Sequence, residues 1–449
     1  MNWLFFSNLA PVKLAPLAFL SLLLGANVSK PIQSLDLASL DLKPNWESPW
    51  LQQKLAADPE AAQIVNRYVS DLSNAGFSAD FQSVWVGVGG YPIAQHQAAQ
   101  RLPAASLTKI ATTLAALETW GVDHRFETLV GWRGTIADGV LQGDLIVRGG
   151  SDPLFVWEEA IAMGNALQQL GIQQVTGNLI IVDSFVMNFK TDPLEAGSLL
   201  KEAFNASTWG DDVQRQHQTM PPGTGQPRIQ IDGTVQVGSP LATVNEASGW
   251  LLRHQSLPLV AILKAMNIYS NNVMSDLVAQ TLGGPTAVMK IAHQIAGVNP
   301  VEISLINGSG LGEDNQISAQ AVVKMLQTIQ TRLVTHQLTI ADLFPVSGTD
   351  TGTLIDRTLP SHAALKTGSL SVVSALAGAF PTEKRGVVWF AIINYGSGLD
   401  ELRYRQDQLL ASLEQRWGKS KEIPSELKAK IQFNQAPYRL GDPTRNQRM

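Results

Sequence analysis

The sequence predicts an α+β protein in which helices pack on an antiparallel sheet and an inserted module rich in β-strands divides the chain. Three observations support this prediction. Helical patterns lie on both sides of a central region, short β-like runs separated by glycines fill that region (122–255), and two apolar strands lie near the C-terminal end. The chain has 449 residues, which is enough for two or three domains of ordinary size.

The first part of the chain predicts a helix, a hairpin and a second helix. Apolar residues recur at helical spacing over 51–76. The apolar runs 83–88 and 91–94, separated by two glycines, predict a β-hairpin. A second helical pattern predicts a helix that starts near Pro103 and ends at Gly121.

The central region has a different pattern. Short β-like runs occupy Thr128–Trp132, Asp144–Val147 and Asn178–Val182, with one helix near 155–170. The stretch 205–240 is polar and contains Pro and Gly, so it is expected to be rich in loops. We therefore expect this region to form a separate β-rich module.

Helical patterns return after the central region. Leu259–Met266 and Val273–Leu282 predict two helices. The segments Ala364–Phe380 and Val387–Asn394 predict two neighbouring strands, the second of which is apolar on both faces and therefore buried. Leu399–Trp417 predicts a terminal helix.

The N-terminus carries an apolar run of thirteen residues, Leu14–Ala26, directly after Lys13. A bilayer span needs about 20 residues, whereas the core of a secretory signal is about this long. Cleavage near Ala26 is one interpretation, and an uncleaved anchor that keeps the protein at the membrane is the other. Both predict export.

The predicted division of the chain follows from these patterns. It comprises a signal peptide or anchor (1–26), a tether (27–50), the first part of the helix-and-sheet domain (51–121), the inserted module (122–255), the second part of that domain (256–418) and a C-terminal tail (419–449).

Composition excludes several classes of function. Lys and Arg number 33 against 38 Asp and Glu, so no basic excess favours nucleic acid binding. The absence of Cys rules out a thiol nucleophile, disulfides and a thiolate metal site. The seven His residues form no metal-binding motif, and we expect neither a metal nor a cofactor.

Three short motifs carry the predicted chemistry, and they occur in the order Ser106–Lys109, Ser270–Asn272 and Lys366–Gly368. They match the Ser-x-x-Lys, Ser-x-Asn and Lys-Thr-Gly set of serine enzymes that recognise penicillin. Ser-x-x-Lys also occurs at Ser198–Lys201 and Ser425–Lys428, but only the first copy opens a long apolar helix and precedes the other two motifs.

The spacing of the first motif suits a nucleophile and its base. Residues i and i+3 of a helix share a face, so the Lys109 amine can reach the Ser106 hydroxyl. Lys109 can take a proton only if its amine is neutral near pH 7, which requires burial or a nearby cation such as Lys366. Taken alone, Ser106 would be a helix N-cap, and the other two motifs would be a polar turn and a strand end.

Further segments resemble those of the low-molecular-mass class C penicillin-binding proteins, the D-alanyl-D-alanine carboxypeptidase/endopeptidase family. They are Gly143–Pro153, Gly177–Asp183, Asn307–Leu311 and Gly352–Leu354, and the resemblance extends over roughly 60–415. The first two lie in the inserted module, which marks class C. Asn307 replaces the usual Asp, and 205–245 is short for the nested domain that the family normally carries.

The resemblance implies a penicillin-binding/β-lactamase-like transpeptidase fold and a set of residue roles. Ser106 would be the nucleophile and Lys109 its base, while Ser270 and Asn272 would relay the proton and hold the peptide. Lys366 and Thr367 would bind the terminal carboxylate, and Gly368 would let the strand approach the substrate closely. The backbone N–H groups of Ser106 and Ser369 would form the oxyanion hole. The implied substrates are peptidoglycan stem peptides, the implied inhibitors are β-lactams, and the implied location is the periplasm or the outer face of the cytoplasmic membrane.

Two alternatives remain at this point. A β-lactamase shares the fold, but the nearest candidate for its deacylating Glu element, Glu302–Asn307, has the wrong spacing, and a class C β-lactamase would carry Tyr at Ser270. A non-catalytic cell-wall binding protein would be expected to have lost a motif residue, and none is lost.

Overall fold

The computed structural model describes residues 57–449. The expected signal peptide or anchor, the tether and the start of the helix predicted at 51–76 lie outside the described residues. Among the residues described, no helix is both long and apolar enough to cross a membrane.

The α-helices and β-strands are numbered here in chain order within residues 57–449. The helices are α1 Pro59–Asn74, α2 Thr108–Trp120, α3 Trp157–Gln169, α4 Pro193–Ala203, α5 Asp211–Thr219, α6 Pro240–Glu246, α7 Leu259–Ile268, α8 Asn272–Thr281, α9 Pro285–Ala296, α10 Ala319–Val334 and α11 Leu399–Trp417. The strands are β1 Gln82–Val88, β2 Tyr91–His96, β3 Arg101–Pro103, β4 Glu127–Ala137, β5 Val140–Gly150, β6 Gln174–Val175, β7 Leu179–Ser184, β8 Gln230–Ile231, β9 Val235–Val237, β10 Gly249–Gln255, β11 Ile303–Ser304, β12 Gln316–Ser318, β13 Ala364–Leu370, β14 Val373–Thr382, β15 Gly386–Tyr395 and β16 Asn446–Arg448.

A five-stranded antiparallel sheet organises the helix-and-sheet domain, in the order β13-β14-β15-β1-β2. Side chains alternate between its faces: Trp85 joins the core beneath α2 and α10, whereas Val86 joins the core beneath α1 and α11. Because helices cover both faces, β14 and β15 are apolar on both sides, as the sequence predicts for the second of these strands. The β1–β2 hairpin and the terminal helix α11 are likewise confirmed.

The prediction of one strand over Ala364–Phe380 is wrong, because this segment folds back on itself as β13 and β14. The register pairs Leu370 with Val373, so the reversal falls at Ser371 and Val372. Neither residue is a Gly, Pro, Asn or Asp, and Ser371 is only a weak turn residue, so the sequence signal for this turn is weak. The reversal places β13 at the edge of the sheet, where a single bridge between Val346 and Ala364 covers its outer side.

Strands β4 to β10, together with β16, form a second sheet, which contains no strand of the five-stranded sheet. The long hairpin β4–β5 lies at its centre, and β7 adds to β5 in parallel. The stretch 205–240, which was expected to be rich in loops, contains α5 and the short strands β8 and β9. The module boundaries at 122 and 255 stay predictions.

The C-terminal segment, residues 419–449, contacts both the helix-and-sheet domain and the second sheet. Near its middle, the backbone N–H groups of Lys430 and Ile431 donate to Asp342 Oδ1 at 2.7 and 2.9 Å. Farther on, Arg445 forms a buried ion pair with Glu159 on α3, and β16 pairs with β10 at the edge of the second sheet. The segment therefore fastens the inserted module to the helix-and-sheet domain.

Candidate active site

Ser106 lies in a tight 3-10 turn, Ala105–Leu107, directly before α2. The helix predicted from Pro103 begins five residues later, at Thr108, because Pro103 still belongs to β3 and pairs with β12. Ala105 has φ +47°, a strained value for a residue with a side chain. The chain thus presents Ser106 on a constrained turn at the start of α2.

Lys109 follows one turn later and is fully buried. Its Nζ lies 3.0 Å from Ser106 Oγ, and it donates to Asn272 Oδ1 and to the carbonyl oxygen of Ser309, both at 2.8 Å. Burial lowers the pKa of Lys109 to about 7, although the charge of Asp276 opposes the shift. A neutral amine has two N–H groups and one lone pair, so the two carbonyl acceptors leave the lone pair for the Ser106 hydroxyl.

A hydrogen bond joins the second motif to the third. Lys366 Nζ donates to Ser270 Oγ at 2.9 Å and to the carbonyl oxygen of Thr367 at 2.8 Å. Burial, together with the nearby charge of Lys109, lowers the pKa of Lys366 well below its usual value. Ser270 itself has φ +50°, in a turn that Asn271 completes by capping α8 through the N–H group of Met274.

Strand β13 passes close to the nucleophile turn. A Cβ on Gly368 would lie 2.9 Å from the carbonyl oxygen of Ala104 and 3.1 Å from the amide nitrogen of Ser106, so only glycine permits this approach. Ser369, the next residue, is exposed, and its hydroxyl accepts from Arg403 Nη2 at 3.0 Å. The edge strand therefore lies directly against the nucleophile turn.

A profile of the D-Ala-D-Ala carboxypeptidase 3 (S13) family matches residues 86–206 and 225–416, which include all three motifs. The chain belongs to the S13 family. The profile leaves the C-terminal segment outside its match.

Individual relatives agree with this assignment. The chain is 23% identical to carboxypeptidase Rv3627c of Mycobacterium tuberculosis over 387 residues, which cover 77% of this chain and 78% of that protein. It is 24% identical over 403 residues to D-alanyl-D-alanine carboxypeptidase DacB of Haemophilus influenzae, with 68% of this chain and 83% of that protein covered.

Solved structures confirm the predicted penicillin-binding fold. Bd3459, a predatory peptidoglycan endopeptidase from Bdellovibrio bacteriovorus, superposes with a TM-score of 0.65 at 19% identity, covering 76% of this chain and 94% of that one. Penicillin-binding protein 4 (dacB) of H. influenzae gives a TM-score of 0.55 at 20% identity, covering 77% and 99%.

As an S13 family member, the chain is a serine-type enzyme of the D-Ala-D-Ala carboxypeptidase/endopeptidase class, as the resemblance predicted. Its substrates are peptidoglycan peptides, and it works outside the cytoplasm. Within residues 57–449, no group of His, Asp and Glu side chains has the arrangement of a metal site.

The other two Ser-x-x-Lys sequences do not form Ser–Lys pairs in this S13 enzyme. Ser198 donates to the carbonyl oxygen of Leu194, and Lys201 donates to that of Gly233. Ser425 donates to the neighbouring carboxylate of Glu426.

Two residues of the site were missed by sequence reasoning. Asp276 lies four residues after Asn272 on the same face of α8, and its Oδ1 accepts from the Gly308 amide nitrogen at 3.0 Å. Its i+4 spacing from Asn272 was a usable signal. Thr353 accepts from the Thr367 hydroxyl at 2.7 Å, a contact that no local spacing indicates.

Asn307, the departure from the family pattern, shapes the loop behind the nucleophile. Its Oδ1 accepts from the Gly310 amide nitrogen at 2.8 Å, and its Nδ2 donates to the carbonyl oxygen of Leu311 at 2.7 Å. Gly310 has φ +84°, and a Cβ there would overlap the carbonyl oxygen of Ala105. The amide therefore holds a loop that packs directly under the Ser106 turn, without adding a charge next to Lys109.

Proposed function

We propose that this enzyme releases the terminal D-Ala from peptidoglycan stem peptides through an acyl-enzyme on Ser106, with Lys109 as the general base. The contact between Lys109 Nζ and Ser106 Oγ carries this proposal, because the two other close partners of the amine are acceptors that occupy its N–H groups. A hydroxyl next to a neutral amine is an activated nucleophile.

Acylation begins when Ser106 Oγ attacks the carbonyl carbon of the penultimate D-Ala and its proton passes to Lys109. The backbone N–H groups of Ser106 and Ser369 would stabilise the oxyanion, since Gly368, the neighbour of Ser369 on β13, lies against the Ser106 turn. Removing one such donor typically costs about 10²–10³ in rate.

The leaving amine then needs a proton as the C–N bond breaks. Ser270 is suited to deliver it, because its hydroxyl accepts from Lys366 Nζ at 2.9 Å and can donate its own hydrogen into the cleft. The Thr367 hydroxyl, once it exchanges donor and acceptor roles with the Thr353 hydroxyl, and the Lys366 amine would bind the terminal carboxylate. Ser270 would recover its hydrogen from Lys366. Water then attacks the Ser106 ester and gives a proton back to Lys366 through Ser270, while Lys109 returns its proton to Ser106 Oγ, which restores the free enzyme.

β-Lactams would acylate Ser106 by the same route and inhibit the enzyme. Their leaving amine stays tethered to the acyl group after ring opening and can block the approach of water. Slowing deacylation from about 10 s⁻¹ to about once per hour requires only about 6 kcal/mol of additional barrier.

We further propose that residues 1–26 direct export as a cleaved signal or as a retained anchor. The location would accordingly be the periplasm or the outer face of the cytoplasmic membrane. N-terminal sequencing of the mature protein distinguishes the two alternatives.

The test combines covalent labelling with product analysis. A labelled penicillin should attach to Ser106, as mapped by mass spectrometry, and Ser106→Ala should abolish labelling whereas the matched Ser198→Ala should not. A chromogenic β-lactam should give one rapid equivalent of product and then a nearly flat phase, alongside steady D-Ala release from a pentapeptide. Sustained β-lactam turnover without D-Ala release would instead establish a β-lactamase.

A further inference from the structure

Arg403 lies beside the active site and has no part in the acylation steps described above. It belongs to α11, and its Nη2 donates to the Ser369 hydroxyl at 3.0 Å. The Arg403 side chain is 38% exposed, so a ligand can reach the guanidinium from solvent. Ser369 follows Gly368 on β13, and Gly368 lies against the amide nitrogen of Ser106. The structure therefore places a cation one residue along the strand from the point where β13 meets the nucleophile turn.

The hydroxyl groups of Thr367 and Ser369 lie on the same side of β13, because side chains two residues apart on a strand share a face. Ser369 Oγ accepts from Arg403, so the hydrogen of this hydroxyl can be donated to a second acceptor. A carboxylate oxygen that accepts this hydrogen would lie about 2.6 Å from Ser369 Oγ. It would then also lie next to the guanidinium that bonds to Ser369 Oγ.

The Arg403 guanidinium keeps most of its hydrogen-bonding capacity. Its Nη2 donates to Ser369, and its Nη1 lies 3.5 Å from the fully exposed carboxylate of Asp400. Within residues 57–449, these are the two hydrogen-bond partners of the Arg403 side chain. Arginine has five N–H groups in a planar fork that matches a carboxylate, so the remaining groups can hold one.

A buried ion pair fixes the helix that carries Arg403. Arg357 Nη2 pairs with Asp407 Oδ1 at 2.7 Å, with less than a tenth of either side chain exposed. The backbone N–H group of Thr358 donates to the same carboxylate at 2.9 Å. Arg357 and Thr358 follow Thr353 in the loop that contacts β13. Because Asp407 lies one turn after Arg403 on α11, this loop holds Arg403 in place at the edge of the site.

The terminal carboxylate of a substrate needs a cation that stays charged throughout turnover. Burial and the charge of Lys109 lower the pKa of Lys366 well below its usual value, and Lys366 gives a proton to Ser270 in the proposed mechanism. Arginine, by contrast, is not deprotonated in proteins. Burying a carboxylate without a stable opposite charge is strongly unfavourable, so a permanent cation beside Lys366 favours binding.

We propose that Arg403 and Ser369 form the outer half of the carboxylate site, and that Arg403 makes the enzyme specific for peptides with a free C-terminal carboxylate. This role rests on the proposed acyl transfer through Ser106. The guanidinium and the Ser369 hydroxyl donate to one side of the carboxylate, and the Thr367 hydroxyl donates to the other. A peptide that ends in an amide offers the guanidinium no negative charge and is therefore a poor substrate.

Two substrates that differ only at the C-terminus test this role in the full-length enzyme. One is a pentapeptide that ends in D-Ala-D-Ala, and the other is the same peptide with a C-terminal amide. The wild-type enzyme should prefer the acid by at least about tenfold in kcat/KM, measured as release of D-Ala or D-alaninamide. Arg403→Met should lower kcat/KM for the acid by about tenfold to a hundredfold, as expected for losing a charge-assisted contact, and should change kcat/KM for the amide by less than about twofold.

Two further variants serve as controls. Arg403→Lys keeps the charge but loses the planar fork, so it should lose about threefold to tenfold on the acid alone. Arg405→Met removes an arginine two residues along the same helix, whose guanidinium pairs with Glu401 at 2.6 Å. This matched change should leave both rates as they are in the wild type.

The outcomes separate this inference from the proposed function. Equal losses on the acid and the amide would mean that Arg403 only positions Ser369, and no loss on either would mean that it contacts no substrate; both results overturn the assignment. If a thermal melt shows that Arg403→Met is unfolded, the same comparison made with Arg403→Lys decides the question. A wild-type enzyme that is labelled at Ser106 but cleaves the acid and the amide equally well would overturn the inference alone. Absence of labelling at Ser106 would overturn the proposed function itself.

Discussion

Two buried lysines of this enzyme, Lys109 and Lys264, have similar burial and different partners. Lys264 Nζ donates to the carbonyl oxygens of Ala341 and Phe344 and forms an ion pair with Asp350 at 2.7 Å. Lys109 also meets two carbonyl-type acceptors, but its third close partner is the Ser106 hydroxyl.

The difference shows what makes a buried lysine a base. Burial lowers the pKa of both amines, and at Lys264 a carboxylate in direct contact opposes the shift. At Lys109 the nearest carboxylate, Asp276, makes no direct contact and instead holds the Gly308 amide. Direct contact with Asp350 thus favours the charged form of Lys264. Asp276 bonds to the Gly308 amide instead of to Lys109, and the pKa of Lys109 falls to about 7.

The largest predicted effect is that of Lys109→Arg on acylation. Arginine keeps the charge but cannot lose its proton in this range, so the rate of penicillin labelling should fall by about 10²–10⁴-fold. Stopped-flow or gel-based labelling measures this rate, and a thermal melt verifies that the variant is folded. Near-normal acylation would remove Lys109 from the role of base.

Lys264→Met should instead destabilise the fold without slowing acylation. It leaves the Asp350 carboxylate without its cation. Breaking a buried pair in this way should lower the free energy of unfolding by about 3 kcal/mol, which is the lower end of the usual range because Asp350 retains some solvent contact. Denaturant unfolding measures the loss. The exposed Lys290→Met is the matched control and should change stability by less than about 0.5 kcal/mol. A large loss of acylation in folded Lys264→Met would mean that the contrast between the two lysines is false.

The pH dependence of acylation should rise through about pH 7, because only the neutral Lys109 amine can accept the proton. Asp276 on α8 favours the charged form of this amine, and a charged Lys109 in turn lowers the pKa of Lys366 on β13. Asp276→Asn should therefore move the rising limb to lower pH, by about a few tenths of a unit to one unit. The exposed Asp314→Asn should leave the limb in place, and a shift toward higher pH in Asp276→Asn would contradict the electrostatic role.

The smallest predicted effect concerns Thr353→Val. This change removes the hydroxyl that would donate to Thr367 Oγ1 when substrate is bound, so the Thr367 hydrogen is no longer directed at the carboxylate. KM for the pentapeptide should rise by about threefold to tenfold with little change in kcat, as expected for one neutral hydrogen bond. Thr351→Val, at an exposed position in the same loop, should have no effect. An equal loss in kcat would indicate a catalytic role instead.

Local spacing predicted the part of the site that lies within one element. Ser106 and Lys109 share a helical turn, and their contact follows from i+3 geometry. The contact between Lys366 and Ser270 depends on β13 being an edge strand, which in turn depends on a reversal at Ser371 and Val372 that the sequence signals only weakly. The expectation that Lys366 and Ser270 belong to one site came from the family resemblance and not from a local sequence pattern.

The contacts of the C-terminal segment could not be predicted from the sequence, for a different reason. Strand β16 has only three residues, Asn446–Arg448, all of them polar, so it has no apolar alternation to detect. Its attachment relies on backbone pairing with β10 and on the Arg445–Glu159 ion pair across nearly 290 residues. Contacts of this kind depend on the completed fold and leave no periodic mark in the sequence.

The pairing of β1 with β15 sets the order in which the enzyme can become active. Gln82 and Asn394 bond to each other across 312 residues, so the central sheet stays open until synthesis has passed β15. Contacts so distant in sequence form late and slowly. A nascent chain held in the cytoplasm or halfway through an export channel would carry Ser106, Lys109 and Ser270 without the sheet that assembles them. Hydrolysis therefore starts only after β15 has paired with β1.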